Sequence, residues 1–80
     1  MLVRVVPFAR IREIVGGERE QDARDHATAG AFYDALAREF PALRELRPST
    51  RFVRNGAFAR ADTALDDGDE LGLLPPYGGG

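Results

Sequence analysis

Few residues in this chain carry chemical potential, and most of them stand alone. His26 is the only histidine and Ser49 the only serine. A histidine with no cysteine in the chain is a poor zinc ligand, because such sites draw four Cys, His or carboxylate groups together. Ser49 has no base near it in sequence, so nothing supports a hydrolytic triad. Asp66-Asp67-Gly68-Asp69-Glu70 has the acids of a calcium loop without its alternating spacing or distant glutamate, and reads as a solvated turn. No lysine follows Gly16-Gly17, which rules out a phosphate loop there. The chain has no cysteine, which excludes disulfides, thiolate metal sites and a cysteine nucleophile. Its 11 basic residues are all arginines, so the body has no side-chain amine for a Schiff base or an isopeptide bond. What remains is the C-terminus, where Pro75-Pro76-Tyr77 precedes Gly78-Gly79-Gly80. A terminal glycine run is costly to order, and its bland reading is a disordered end without structural use. As a tether it makes sense. The prolines stiffen its base, the missing Cβ atoms let it thread a narrow channel, and the reacting group is the α-carboxylate of Gly80.

A tether needs a body to hold it out. Val3 and Val5, with Arg4 and Val6, read as a strand over about 2–8, with Pro7 near its close. Residues 9–14 form a short helix with Ile11 and Ile14 on one face, stopped by Gly16-Gly17. Residues 18–25 are polar and read as a weak second strand. Thr28 N-caps a helix to about Phe40, where Phe32, Leu36 and Phe40 recur every four residues and Ala29 and Ala35 widen the stripe. Pro41 ends it. Leu43 and Leu46 lead through Pro48-Ser49 into a third strand around Thr50–Arg54. Asn55-Gly56 is a strong hairpin signal, and a two-residue loop there sets Val53 opposite Phe58. Asp62-Thr63 caps a short turn, and Glu70–Leu74 is the final strand. Strands on both sides of one main helix predict an α+β domain with a mixed sheet packed on that helix. The first and last strands are the most apolar and belong at the sheet's centre.

Composition narrows the function classes further. Eighty residues make one small domain, which buries about 63% of its unfolded surface and leaves no room for a large enclosed active site. Hydrophobic residues at 44% and charged residues at 30% are a globular balance. A net charge of -2 argues against a nucleic-acid partner. No apolar run approaches a membrane span, and the alternating N-terminus is too short for a secretory signal, so the expected location is the cytoplasm.

Several segments together carry a family resemblance. They are Val5-Val6-Pro7-Phe8-Ala9-Arg10-Ile11-Arg12-Glu13 with Gly16 after it, Phe40-Pro41-Ala42-Leu43, Asn55-Gly56, Asp62-Thr63-Ala64-Leu65-Asp66-Asp67-Gly68-Asp69-Glu70-Leu71, and Pro75-Pro76 with the closing glycines. In that order and spacing the chain resembles the molybdopterin synthase small subunit, a ubiquitin-like sulfur carrier, over nearly its whole length. The resemblance implies a β-grasp body over residues 1–74 and a carrier tail over 75–80. It implies that an E1-like activating enzyme consumes ATP to adenylate Gly80, and that a sulfur donor protein converts the acyl-adenylate to a thiocarboxylate. The tail then inserts into the large synthase subunit, in a heterotetramer, and the sulfur goes to the dithiolene of the molybdenum cofactor. The small subunit is itself non-catalytic and binds no cofactor.

By position, the resemblance gives Gly80 the sulfur and Gly78 and Gly79 the threading role. Leu74, Pro75, Pro76 and Tyr77 become the neck that partners grip. Phe8 and Leu74 become an apolar patch on the sheet, with core burial the competing reading for Leu74. Two departures stand out: three terminal glycines where the family usually has two, and Arg54 where the family tends to be apolar. Rival readings are a sulfur carrier for thiamin thiazole, tRNA thiolation or amino-acid synthesis, and a protein modifier or non-covalent ubiquitin-like binding module. A modifier would appear as conjugates on other proteins' lysines, and a binding module would tolerate loss of Gly80.

Overall fold

In the computed structural model, which describes residues 1–76, five strands and two helices follow the order expected. β1 (Leu2–Pro7) turns Val3, Val5 and Pro7 inward and leaves Leu2 and Arg4 exposed, as the period of two requires. α1 (Ala9–Val15) buries Ile11 and stops at Gly16, whose φ of 102° lets its N–H return to the Arg12 carbonyl at 2.7 Å. β2 (Arg19–Asp22) is shorter than the strand expected over 18–25, because the chain turns away before His26, which has a φ of 64°. α2 (Ala29–Glu39) starts at Thr28, whose hydroxyl accepts from the Ala31 N–H at 3.1 Å.

β3 (Arg51–Arg54) and β4 (Ala57–Ala59) form the hairpin, with Val53 facing Phe58 across it. β5 (Glu70–Leu74) completes a sheet of order β2-β1-β5-β3-β4. Among the described residues only β1 and β5 pair in parallel, and the other ladders are antiparallel. The first and last strands are therefore inner ones, and the mixed sheet folds around α2 in the β-grasp manner.

The core lies between α2 and the inner sheet face, where Val3, Val5, Phe52, Leu71 and Leu73 meet Phe32, Tyr33 and Leu36. Phe32 and Leu36 are buried as their spacing predicts, while Phe40 is half-buried beside the Arg19 guanidinium, 5.8 Å from its ring centroid. Tyr33 lies edge-on to Phe52 at 6.2 Å and donates to the Leu43 carbonyl at 2.6 Å. That carbonyl belongs to a 3-10 segment, Pro41–Ser49, which replaces the irregular connection expected. Among the described residues no helix is long and apolar enough to cross a membrane.

Candidate functional site

The outer face of the sheet, away from α2, is built in three rows by the strand register. At one end Glu20, Arg4 and Glu70 stand side by side on β2, β1 and β5, and Arg4 also pairs with Glu18 at 2.6 Å. The middle row runs Val6, Gly72, Val53, Phe58 across β1, β5, β3 and β4. The third row sets Leu74 opposite Arg51, where β5 gives way to Pro75 and Pro76. An apolar strip thus crosses four strands and ends beside the neck.

Phe8 joins this strip from the β1–α1 junction. Its backbone is fixed by three hydrogen bonds: its N–H donates to the Leu73 carbonyl at 3.1 Å, and its carbonyl accepts from Ile11 and Arg12. Ala9 follows at a φ of 48°, a left-handed conformation that costs a non-glycine residue about 1–2 kcal/mol. The ring is 45% exposed. Phe58 is more open still, at 73%. Leu74 is half-buried on the outer side, which divides it between the two readings the sequence allowed. Phe8 and Leu74 thus share one face with Phe58, a residue the sequence had placed on a sheet without saying which side. Burial of Phe52 fixes that side, because its neighbour Val53 and the opposite Phe58 must then point outward. Pro75 is half-buried and Pro76 exposed, and Tyr77, Gly78, Gly79 and Gly80 lie outside the described residues.

At the other end of β5, the 66–69 turn corrects the solvated reading in one residue. Asp66 and Asp67 are exposed as expected, but Asp69 is 7% exposed. Its carboxylate accepts from Arg54 Nε at 2.8 Å, Asn55 Nδ2 at 2.9 Å and the Asp66 N–H at 2.8 Å. Burial pushes this carboxyl up, but the hydrogen bonds from Asp66, Asn55 and Arg54 outweigh it and hold it below the usual carboxylate range. Arg54, polar where the family tends to be apolar, is explained by this contact and by a second one to Asp66 at 2.9 Å. Asn55 also accepts from the Glu70 N–H, so the turn, the hairpin and β5 are locked together.

No metal-binding cluster of three or more His, Cys, Asp or Glu exists among the described residues. His26 is exposed with Asp66 3.7 Å from its Nδ1, and Ser49 closes the 3-10 segment. What the described residues present is an exposed apolar strip and the proline pair that follows β5.

Known proteins resemble the chain in sequence and in fold. Residues 5–80 match the ThiS family. Small archaeal modifier protein 1 of Haloferax volcanii is 37% identical over 82 residues, 91% of this chain and 94% of that protein. The crystal structure of SAMP1 from Haloferax volcanii superposes with a TM-score of 0.84 at 31% identity, over 100% of both chains. The molybdopterin synthase sulfur carrier subunit of Chlamydomonas reinhardtii is 31% identical over the full length of both chains. A complex of subunits 1 and 2 of the molybdopterin-converting factor from Helicobacter pylori contains a chain similar to this one, with a TM-score of 0.69, 27% identity and 100% of both chains covered.

Proposed function

The chain belongs to the ThiS family of sulfur carriers, and from that premise we propose that it delivers sulfur for the dithiolene of the molybdenum cofactor as a C-terminal thiocarboxylate on Gly80. The observation that carries the reading is the continuity of the outer apolar strip with the neck: β5 holds Gly72 in the strip and runs directly into Leu74, Pro75 and Pro76. A partner seated on the strip is positioned to receive the tail. Residues 1–74 serve as the body and 75–80 as the tail.

The chemistry is set by what the chain lacks. A carboxylate is a poor electrophile, so an E1-like enzyme first joins Gly80 to AMP from ATP, releasing pyrophosphate. The outer sulfur of a persulfide on a sulfur donor protein then attacks the acyl carbon and AMP leaves. A second thiol cleaves the resulting acyl disulfide, forming a disulfide with the donor cysteine and freeing the thiocarboxylate. With no cysteine anywhere in its sequence, the chain can hold transferable sulfur only there. Phe8, Leu74, Pro75, Pro76 and Tyr77 contact partners, and Gly78 and Gly79 pass through the partner's channel. The large synthase subunit is the receiving partner, a reading supported by the two-subunit Helicobacter pylori complex. It supplies the catalytic groups, and the chain itself holds no cofactor.

The similarity to small archaeal modifier protein 1 favours a second reading, attachment of the same activated tail to other proteins. One experiment separates them. The chain is incubated with ATP, a sulfur source and the activating enzyme, and its intact mass is followed. Replacement of one oxygen by sulfur at Gly80, discharged by the large subunit and the pterin precursor, is the expected result. Lysine-linked conjugates in place of a discharged thiocarboxylate would favour the modifier reading, and an unchanged mass would overturn both.

A further inference from the structure

The strand register sorts the charges of the outer face by end. Away from the neck, Glu20, Arg4 and Glu70 stand side by side, and Glu18 reaches Arg4 at 2.6 Å. One guanidinium thus stands among three carboxylates, an excess of negative charge. At the neck end the sign is reversed. Arg51 is exposed on β3 opposite Leu74, and it enters no ion pair among the described residues. Arg10 and Arg60, which follow β1 and β4 at this end, are matched by Glu13 and Asp62 at 3.2 and 3.3 Å. The two ends are four residues apart along β5, about 13 Å, which exceeds the Debye length of about 8 Å at physiological ionic strength. Each end therefore keeps its own sign, with Val6, Val53 and Phe58 between them. A surface that is negative, apolar and positive in succession is not the same when it is turned round.

We propose that this order of charge sets the direction in which the large synthase subunit lands, with Arg51 the residue read at the neck end. The inference rests on the reading that the large subunit receives the tail, and deepens it. The two-subunit Helicobacter pylori complex, which contains a chain similar to this one, supports the choice of that partner. The matching surface carries a carboxylate beside the entry to its channel, and a guanidinium or ammonium group about 13 Å away opposite Glu20 and Glu70. A carrier that approaches reversed meets like charges at both ends, and its neck points away from the channel. Exposed charges at the rim of a contact act mainly on the association rate, because they steer the encounter before the apolar surfaces meet.

The test measures the association rate of the full chain with the large subunit at low and at high salt. Arg51→Glu is expected to slow association about tenfold at low salt and less than about twofold at high salt. Arg38→Glu makes the same change of charge on α2, behind the sheet, and should slow it less than about twofold. The decisive variant joins Arg51→Glu to Glu70→Arg, which keeps the net charge at -2 and inverts the order. It should associate at least as slowly as Arg51→Glu alone. Melting temperatures check that each variant folds. Arg51→Gln, and Arg51→Gln with Glu70→Gln for the inverted pair, stand in for any that does not, each slowing association about threefold.

Equal rates for Arg51→Glu and Arg38→Glu overturn the inference. So does an inverted variant that recovers the parent rate, since net charge alone would then govern the encounter. Phe58→Asp separates this failure from that of the surface: if it leaves the affinity unchanged, the outer face is not the contact and the role of Arg51 falls with it. No binding of the parent chain by a large subunit that binds a control carrier overturns the choice of partner and the inference together.

Discussion

Asp69 is the residue on which most of the local geometry converges. Its carboxylate is depressed below the ordinary range, so the stability it contributes is present above the unfolded value of about 3.9 and is lost as pH falls through the lower folded value. Asp69→Ala strands Arg54, Asn55 and the Asp66 N–H at once, and should cost about 3 kcal/mol at neutral pH. Denaturant melts from pH 2 to 7 check both points: the variant should be less stable at pH 7 and flatter across the acid limb. An acid limb identical to that of the parent chain would show that other carboxylates set it. The sequence offered the acidic run but gave no sign that its third aspartate turns inward. That depends on Arg54, a dozen or more residues earlier, being folded alongside it, and only the β3–β5 register brings the two together.

At the level of elements, the hairpin and the main helix were legible because their signals are local. Asn55 and Gly56 have φ values of 48° and 86°, the paired positive values that a two-residue turn of this hand demands. Gly56→Ala should therefore destabilise by about 1 kcal/mol or somewhat more, measured by thermal denaturation, although nothing crowds a Cβ there. Phe32→Ala, which empties a buried position on α2, should cost roughly 3–5 kcal/mol in denaturant titration. A loss below about 1 kcal/mol would place the ring outside the core. The 3-10 segment escaped sequence reading for a physical reason. Pro41 and Pro48 bracket it, and its apolar residues Leu43 and Leu46 are only three apart, which is too short a run to separate a tight helix from a loop. Its anchor is tertiary, since the buried Leu43 carbonyl is satisfied by the hydroxyl of Tyr33 on α2.

Across the whole molecule, body and tail answer to different forces. The body is fixed by burial across the sheet and α2, whereas the tail's role rests on residues that the alternation of strands and helices does not govern. Removal of Gly80, or addition of a residue after it, should abolish sulfur transfer while moving the melting temperature by less than about 2 °C, as expected of a change at a terminal glycine. Calorimetry and the mass assay on one sample check the two halves of that statement. The outer apolar strip was only half legible. Phe8 and Leu74 were found through the family resemblance, but Phe58 and Gly72 emerge only when four strands are laid in register.

The place of β5 in the sheet has a mechanical consequence. The neck continues a strand that is hydrogen-bonded on both sides, in parallel to β1 and antiparallel to β3. Tension along the neck runs along the strand axis and loads both ladders in shear, many bonds sharing it together, whereas an edge strand pulled sideways peels open one bond at a time. Endurance under such a load is a matter of unfolding rate rather than of equilibrium stability. A partner drawing on the residues beyond Leu74 would therefore load the two ladders together and leave the body to which they are tied intact.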